Sequence, residues 1–251
     1  MLTAERRQYI LNMLHRDGKI VARRLSEELG LSEDTIRRDL RDLAEDGKLV
    51  RVHGGALPSS PATANFTARQ EQAPQAKEAI AQAAAAMVRA GQVIFLDGGT
   101  TNLLVAQHLM PDLQVTVITN SPPVAVALAE HPRADVLLLG GQLLKHSIVT
   151  VGTATLEAIS MVRADLYFLG ICSLHPDMGI STNHLEEAYL KRAMVERSAE
   201  VIALVSPEKL NTASSYRIGP LTELSEIITE REVAEELLAP YRNLGITVTR
   251  V

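Results

Sequence analysis

Seven short apolar runs recur along the C-terminal part of the chain: QVIFLD, QVTVIT, ADVLLLG, ADLYFLG, EVIALVS, SEIIT and GITVTRV. Each is nearly continuous in apolar character instead of alternating, as in strands buried on both faces of a parallel sheet. Helix-length stretches with polar faces separate them, over 75–90, 102–109, 122–130, 184–198 and 232–239. Strands and helices in alternation predict right-handed βαβ units and a doubly wound, mainly parallel α/β domain.

The N-terminal part is patterned differently. Ile10, Met13 and Leu14 share one helical face, and Val21, Leu25 and Leu29 share a second. Gly30 stands where a left-handed C-cap would end the second helix. Ser32 is placed to cap a third helix, with Glu33 and Asp34 at its positive end. Ile36, Leu40 and Leu43 line the buried side of that helix. KLVRVHGGA then predicts a short β-ribbon turning at Gly54–Gly55. From Pro58 to Ala73 the composition shifts to Pro, Ser, Thr, Ala and Gln, with Phe66 the only large apolar residue. That shift predicts a linker over 58–73, between a small helical domain over 1–57 and the α/β domain over 74–251.

Composition narrows the setting. With 251 residues, 46% of them hydrophobic and 22% charged, the chain can build a core of full size. No apolar run approaches the roughly 18 residues needed to span a bilayer, and MLTAERRQYI has no secretory apolar stretch. Cys172 is the only cysteine, so no intramolecular disulfide can form. The expectation is a cytoplasmic protein with no membrane partner. Net charge is −5, yet it is unevenly shared: up to Ala56 there are 11 Lys+Arg against 10 Asp+Glu, and beyond it 14 against 20. The asymmetry is mild, so the placement of the charges decides more than their sum.

Placement singles out the third helix. With Ile36 inward, Asp34, Arg38, Arg41 and Glu45 point outward, and Thr35, Arg37 and Asp42 sit on the shoulders. Asp34–Arg38, Arg38–Asp42 and Arg41–Glu45 are i,i+4 pairs, so a self-paired surface helix is one alternative. Two short helices joined through LGLS fit instead a helix-turn-helix, whose second member enters the major groove. Its first turns offer Ser32, Thr35, Arg37 and Arg38, with Arg41 a turn later. Ser and Thr serve phosphate or base, and Arg can chelate guanine. Arg51 and His53 on the ribbon would form a wing against adjacent backbone or minor groove. A winged helix used for protein contact is the remaining alternative.

LSEDTIRRDLRDLAEDGKLVRVHGGA resembles the DNA-binding signature of the DeoR family of bacterial transcriptional regulators, including its closing HGGA. The resemblance continues through the second domain and covers nearly the whole chain. It implies a sensor domain with the fold of sugar-phosphate isomerases and CoA transferases, which binds a phosphorylated sugar or related metabolite. It also implies a repressor that acts on operator DNA as a homo-oligomer, a dimer or a tetramer. Ligand binding would shift that oligomer between arrangements of different operator fit.

In the second domain FLDGGTTN sets Gly98, Gly99, Thr100, Thr101 and Asn102 where a strand ends and a helix begins. Free N–H groups and the helix dipole make such a turn an anion site, and strand carboxyl ends are where open α/β sheets bind ligands. The plain alternative is a glycine turn with threonine as cap. The motif is neither GxGxxG nor GxxxxGK[ST], so no nucleotide cofactor is expected. Thr119 and Asn120, Gly140 and Gly141, and Gly152 end or begin neighbouring elements and are further candidates for the same rim. NHLEEAYLKRAM resembles the family's Glu-x-x-x-Lys helix, matched by Glu187 and Lys191, which at i,i+4 also suit a helix salt bridge. Lys209 in SPEKL falls in the family's Asp-x-x-Lys stretch, but Ser206 stands in the aspartate position.

An isomerase with an appended winged helix is the enzyme alternative, and it needs a positioned carboxylate or imidazole base. Related isomerases carry a DGAD-like turn where this chain has Ile171, Cys172 and Ser173, with no carboxylate until Asp177. The pattern favours binding over catalysis. His175 and Asp177 suit a turn, and His108, His131, His146 and His184 are too scattered for a zinc cluster.

Overall fold

The computed structural model describes residues 2–60 and 64–251, and its N-terminal elements form a three-helix unit with a wing. They are α1 (Thr3–Asp17), β1 (Ile20–Val21), α2 (Ala22–Leu29), α3 (Glu33–Glu45), β2 (Leu49–Val52) and β3 (Gly55–Pro58). Ile10, Leu14, Leu25, Ile36, Leu40, Leu43 and Leu49 pack into one apolar cluster. Each fully buried side chain of this size stabilises by about 1.5–3 kcal/mol, which is what holds so small a unit together. Val21 departs from the expected stripe: it lies in β1, 49% exposed, and Ala22 takes the buried place at the start of α2. Its extended backbone (φ −103°, ψ 113°) lets Ile20 and Val21 pair with Ala56 and Gly55, giving a three-stranded sheet in the order β1-β3-β2.

The ribbon turns one residue earlier than expected. Arg51 pairs with Ala56 and Val52 with Gly55, which leaves His53 and Gly54 as the two-residue turn. The two glycines therefore do different work. Gly54 takes a positive φ of +79°, whereas a Cβ on Gly55 would lie 1.8 Å from the Ile20 carbonyl oxygen. Gly55 is what lets β1 close against β3.

The segment expected as a linker carries a helix, α4 (Phe66–Gln70); residues 61–63 fall outside the described ones. Asn65 caps α4 by accepting from the Ala68 amide at 3.0 Å, and Phe66 is buried. One aromatic anchor in a run of small polar residues was too weak a periodic signal to show as a helix.

The rest follows in chain order: α5 (Pro74–Met87), β4 (Val93–Leu96), α6 (Thr100–Gln107), β5 (Val115–Thr119), α7 (Pro122–Ala127) and β6 (Ala134–Leu138). Then come β7 (Gln142–Leu144), β8 (Val149–Val151), α8 (Thr153–Ser160), β9 (Ala164–Gly170), β10 (Ser173–His175) and β11 (Gly179–Thr182). The chain ends with α9 (Leu185–Glu196), β12 (Ser198–Val205), β13 (Tyr216–Gly219), β14 (Glu226–Thr229), α10 (Glu235–Arg242) and β15 (Thr247–Arg250). All seven expected runs become strands of one sheet in the order β15-β14-β12-β9-β4-β5-β6, every pairing parallel.

Alternate residues of the central strands enter opposite cores. Leu166, Phe168, Ile202 and Leu204 pack with Ile80, Ala84, Val105 and Val124, from α5, α6 and α7. Tyr167, Leu169, Val201 and Ala203 pack with Ile159, Leu190, Met194 and Leu238, from α8, α9 and α10. Helices thus cover both faces, and that double burial is why the strands read as continuous apolar runs. The short pairs β7–β8 and β10–β11–β13 are antiparallel additions that the sequence pattern did not reveal. Among the described residues no helix is long and apolar enough to cross a membrane.

Candidate functional site: an arginine helix and an anion cleft

Two features carry chemistry, and the first is α3. Ser32 caps it, its Oγ accepting from the Thr35 amide at 3.2 Å and lying 2.9 Å from the Thr35 hydroxyl. Arg37, Arg38 and Arg41 are exposed along the helix, and Arg51 and His53 are exposed on the wing. The expected ion pairs do not form. Arg37 pairs instead with Glu33 at 2.7 Å, and Asp42 is drawn to Arg7 of α1. Arg38 and Arg41 have no ion-pair partner among the described residues. Such a self-paired helix would have quenched the charge of Arg38 and Arg41, and this one leaves both available.

Asp39, missed in the sequence, explains how α3 is held. It is 2% exposed and accepts from Arg6 and from Arg7, the latter at 3.3 Å. The Asp39 hydrogen bond and charge hold the Arg6 pKa above its ordinary value despite the opposing effect of burial. Two arginines of α1 thus hold one carboxylate of α3. This contact fixes the angle at which α3 presents its outer face.

The second feature is a cleft at the carboxyl ends of β4 and β9. The chain leaves β4 toward β5 and β6, then crosses to the other side of β4 to build β9, β12, β14 and β15. That reversal is the topological switch point, where open α/β sheets form their ligand crevice. Gly98–Asn102 after β4 and Gly170–Cys172 after β9 both line it. Gly99 begins α6 with φ +148°, and no side chain caps the helix. The first-turn N–H groups, with Thr100 and Thr101, are the donors expected of an anion site.

Three cations overhang this turn: Arg69 of α4, Lys77 of α5 and Lys209 after β12. The Arg69 Nε and Nη2 atoms are buried and have no hydrogen-bond partner. Lys77 is 3% exposed, and its ammonium donates to the Arg69 carbonyl. Burial, with Lys209 close by, lowers the Lys77 pKa to about 8, against an opposing pull from Glu208. Burial likewise lowers Lys209. Positive charges crowded away from water are a poor arrangement until an anion joins them.

Beneath the cations lies a buried network. Asp97, directly after β4, accepts from the Asn102 amide at 2.6 Å, the Tyr167 hydroxyl at 2.6 Å, the Gly170 amide at 2.9 Å and the Lys191 ammonium. Lys191 also donates to the Gly170 carbonyl at 2.7 Å. Burial disfavours its charge, but Asp97 and Glu187 override that and leave its pKa raised. A Cβ on Gly170 would lie 2.7 Å from the Asp97 carboxylate, so glycine is what admits this contact.

Glu187 lines the cleft, but it forms no ion pair with Lys191 at hydrogen-bonding distance. Its carboxylate accepts from the Thr182 hydroxyl at 2.9 Å. Burial raises its pKa, but Lys191 and the hydroxyls of Ser147 and Thr182 outweigh burial and lower it overall. A general base works best near the operating pH, and Glu187 is tuned away from it. Asp177 lies in the β10–β11 turn, its amide donating to His175 Nδ1 at 3.1 Å, beside the wing rather than the cleft.

Of the residues singled out in the sequence, Gly98, Gly99, Thr100, Thr101, Asn102, Glu187, Lys191 and Lys209 line the cleft together. Thr119, Asn120, Gly140, Gly141 and Gly152 do not join that lining. Thr119 Oγ1 accepts from the Ser121 amide at 3.0 Å, and the Asn120 amide donates to the Thr150 carbonyl at 3.0 Å, tying β5 to β8. The Gly140 carbonyl accepts from the Thr155 hydroxyl at 2.7 Å, and a Cβ on Gly141 would meet that hydroxyl at 2.2 Å. Gly152 precedes α8 as expected, with φ +107°. Sequence reasoning missed Arg69, Lys77, Asp97 and Tyr167. Asp97 left one signal, a carboxylate ending an apolar strand just before a glycine pair.

The chain matches the family model of the DeoR-like helix-turn-helix domain over residues 6–61 and that of the DeoR C-terminal sensor domain over residues 72–231. It is 35% identical over 251 residues to the HTH-type transcriptional regulator GlpR of Haloferax volcanii, covering 99% of this chain and 98% of that protein. It is 32% identical over 250 residues to the HTH-type transcriptional regulator GolR of Listeria innocua, covering 99% and 98%. It is 31% identical over 231 residues to the glycerol-3-phosphate regulon repressor of Escherichia coli, covering 92% of each. These relatives are regulators, and their names describe no enzyme. The chain belongs to the DeoR family of helix-turn-helix transcriptional regulators.

Proposed function

We propose that this regulator is a cytoplasmic repressor whose hold on operator DNA is released by a phosphorylated sugar or related phosphorylated metabolite. The observation that carries the proposal is the Arg69 guanidinium, with Nε and Nη2 buried and unpartnered beside Lys77, Lys209 and the α6 N-terminus. A dianionic phosphate supplies the missing acceptors and offsets the crowded charge. The similarity to a repressor named for a glycerol-3-phosphate regulon supports the same ligand class. Gly98–Asn102 and Lys209 hold the phosphate; Glu187 and Lys191 form the floor and sides of the cleft.

On the DNA side, Ser32, Thr35, Arg37, Arg38 and Arg41 enter the major groove, and Arg51 and His53 hold the flanking backbone or minor groove. A helix-turn-helix reads paired half-sites as a two-fold assembly, so the working form is a homo-oligomer. A thermal-shift screen tests the ligand class. Phosphorylated sugars should raise the melting temperature, with about 2.7 kcal/mol of added stability at a hundredfold excess over Kd, and their unphosphorylated parents should not. Equal shifts from both sets would refute the phosphate assignment.

A further inference from the structure

The main sheet ends in β15 on one side and β6 on the other, and the two edges are finished differently. β15 is polar: the Thr249 hydroxyl donates to Glu226 at 2.5 Å, and Arg250 pairs with Glu235 at 3.6 Å. A charged side chain on an edge strand blunts it against further pairing. β6 has no such guard. Its run ADVLLLG is as apolar as the buried central strands, yet Leu137 stays 50% exposed and Leu138 46%. Leu143 of β7, just beyond, is 47% exposed. Leu137 and Leu138 are consecutive and so stand on opposite faces, which makes the edge apolar on both.

The backbone restricts what can pair there. The Leu139 amide donates to the Thr119 carbonyl of β5 at 2.8 Å. Alternate residues of a strand turn their N–H and C=O groups to the same side, so Leu137 also faces β5, while Val136 and Leu138 face outward. The Ala134 amide is taken by His131 Nδ1 at 3.0 Å, which confines an added strand to the stretch around Val136 and Leu138. An antiparallel copy of β6 centred on Leu137 sets Val136 opposite Leu138 of the second copy, and Leu138 opposite its Val136. Each such pair exchanges two N–H···O bonds, and Leu137 meets its own counterpart at the closer, non-hydrogen-bonded position. Asp135 then lies opposite Leu139 and Arg133 opposite Gly141, so no like charges face each other. A β6–β15 pairing would set apolar against polar and would repeat without closing.

We infer that β6 is the surface through which two copies of this chain associate, joining their sheets across a two-fold axis at Leu137. The inference rests on the homo-oligomer reading above and gives that oligomer its surface. The edge is its own complement, as an isologous dimer needs. Nine of the thirteen residues from Arg133 to Lys145 are exposed in the single chain, a strip on the scale of the roughly 800 Å² that each partner of a stable dimer buries.

The test is analytical ultracentrifugation of the full chain at micromolar concentration, with hydrogen exchange at the Val136 amide. The wild type should sediment as a closed dimer or a multiple of it, with that amide protected. Leu137→Arg sets two like charges together at the axis. Leu138→Pro removes an outward donor on an edge strand, where proline is tolerated. Each should lower the mass by about half and expose the Val136 amide, while the circular dichroism melt stays cooperative. Thr247→Arg, on the other edge, should leave the mass unchanged. If both β6 variants keep the wild-type mass, the copies meet elsewhere, and the inference falls with the homo-oligomer still standing. Mass that keeps growing with concentration, and is capped by Thr247→Arg, assigns β6 to β15 and overturns the two-fold pairing. A monomeric wild type overturns the oligomer and this surface together.

Discussion

Arg37 and Arg38 are neighbours in sequence and opposites in circumstance: Glu33 holds the first at 2.7 Å, and the second has no ion-pair partner among the described residues. Arg38→Ala and Thr35→Ala should therefore each lower affinity for the specific operator by about 1–3 kcal/mol per lost base contact. Arg51→Ala, on the wing, should weaken all duplexes evenly and reduce the salt slope by about one. Mobility-shift titrations at several salt concentrations measure both, and unchanged affinity in all three variants would contradict the assignment of α3. Lys77 gives a second test at this scale. Its pKa is lowered to about 8, first by burial and then by Lys209, with Arg69 adding and Glu208 opposing. Anion binding favours its protonated form, so sulfate affinity should fall as pH rises through about 8. Sulfate keeps its own charge across that range; calorimetry showing constant affinity to pH 10 would contradict the role of Lys77. Single residues were legible where spacing carried them, as with Ser32, Arg38 and Thr100. Asp39 and Arg69 were not, because burial of a charge depends on partners from distant elements.

The seven main strands were legible as unbroken apolar runs; in the central ones both faces are buried, while edge strand β6 leaves Leu137 and Leu138 about half exposed. The pairs β7–β8 and β10–β11 were not, since QLL, VTV, SLH and GIST are short and mixed with polar residues and so form no apolar run. The wing was read as a ribbon but its turn was misplaced by one residue, because a glycine pair does not tell which glycine bends. Structure assigns the bend to Gly54 and the close approach to Gly55, and the two should respond differently. Gly54→Ala faces only a left-handed backbone, a cost of roughly 1–2 kcal/mol. Gly55→Ala drives a methyl into the Ile20 carbonyl and should cost more, separating β1 from β3 and weakening DNA binding. Chemical denaturation ranks them, and a Gly54→Ala variant less stable than Gly55→Ala would contradict the register. The connector is the element that sequence composition hid most completely.

At the scale of the molecule, most of the negative charge lies beyond Ala56, so the balance near the arginine helix is left close to neutral. The parallel sheet reverses direction beside β4, and the reversal makes the cleft; the small winged unit at the other end of the connector makes the DNA surface. The two are coupled if phosphate binds one state of the molecule more tightly than the other, and the coupling is then reciprocal. Thr100 lies in the cleft, far from α3 in the chain, and offers one hydroxyl to a charged ligand. The most direct measurement is operator release against effector concentration for the wild type and for Thr100→Ala. The variant should bind effector-free operator as the wild type does, and its release curve should lie about ten- to a hundredfold higher in effector. Superposed release curves would contradict the claim that this cleft controls the grip on DNA.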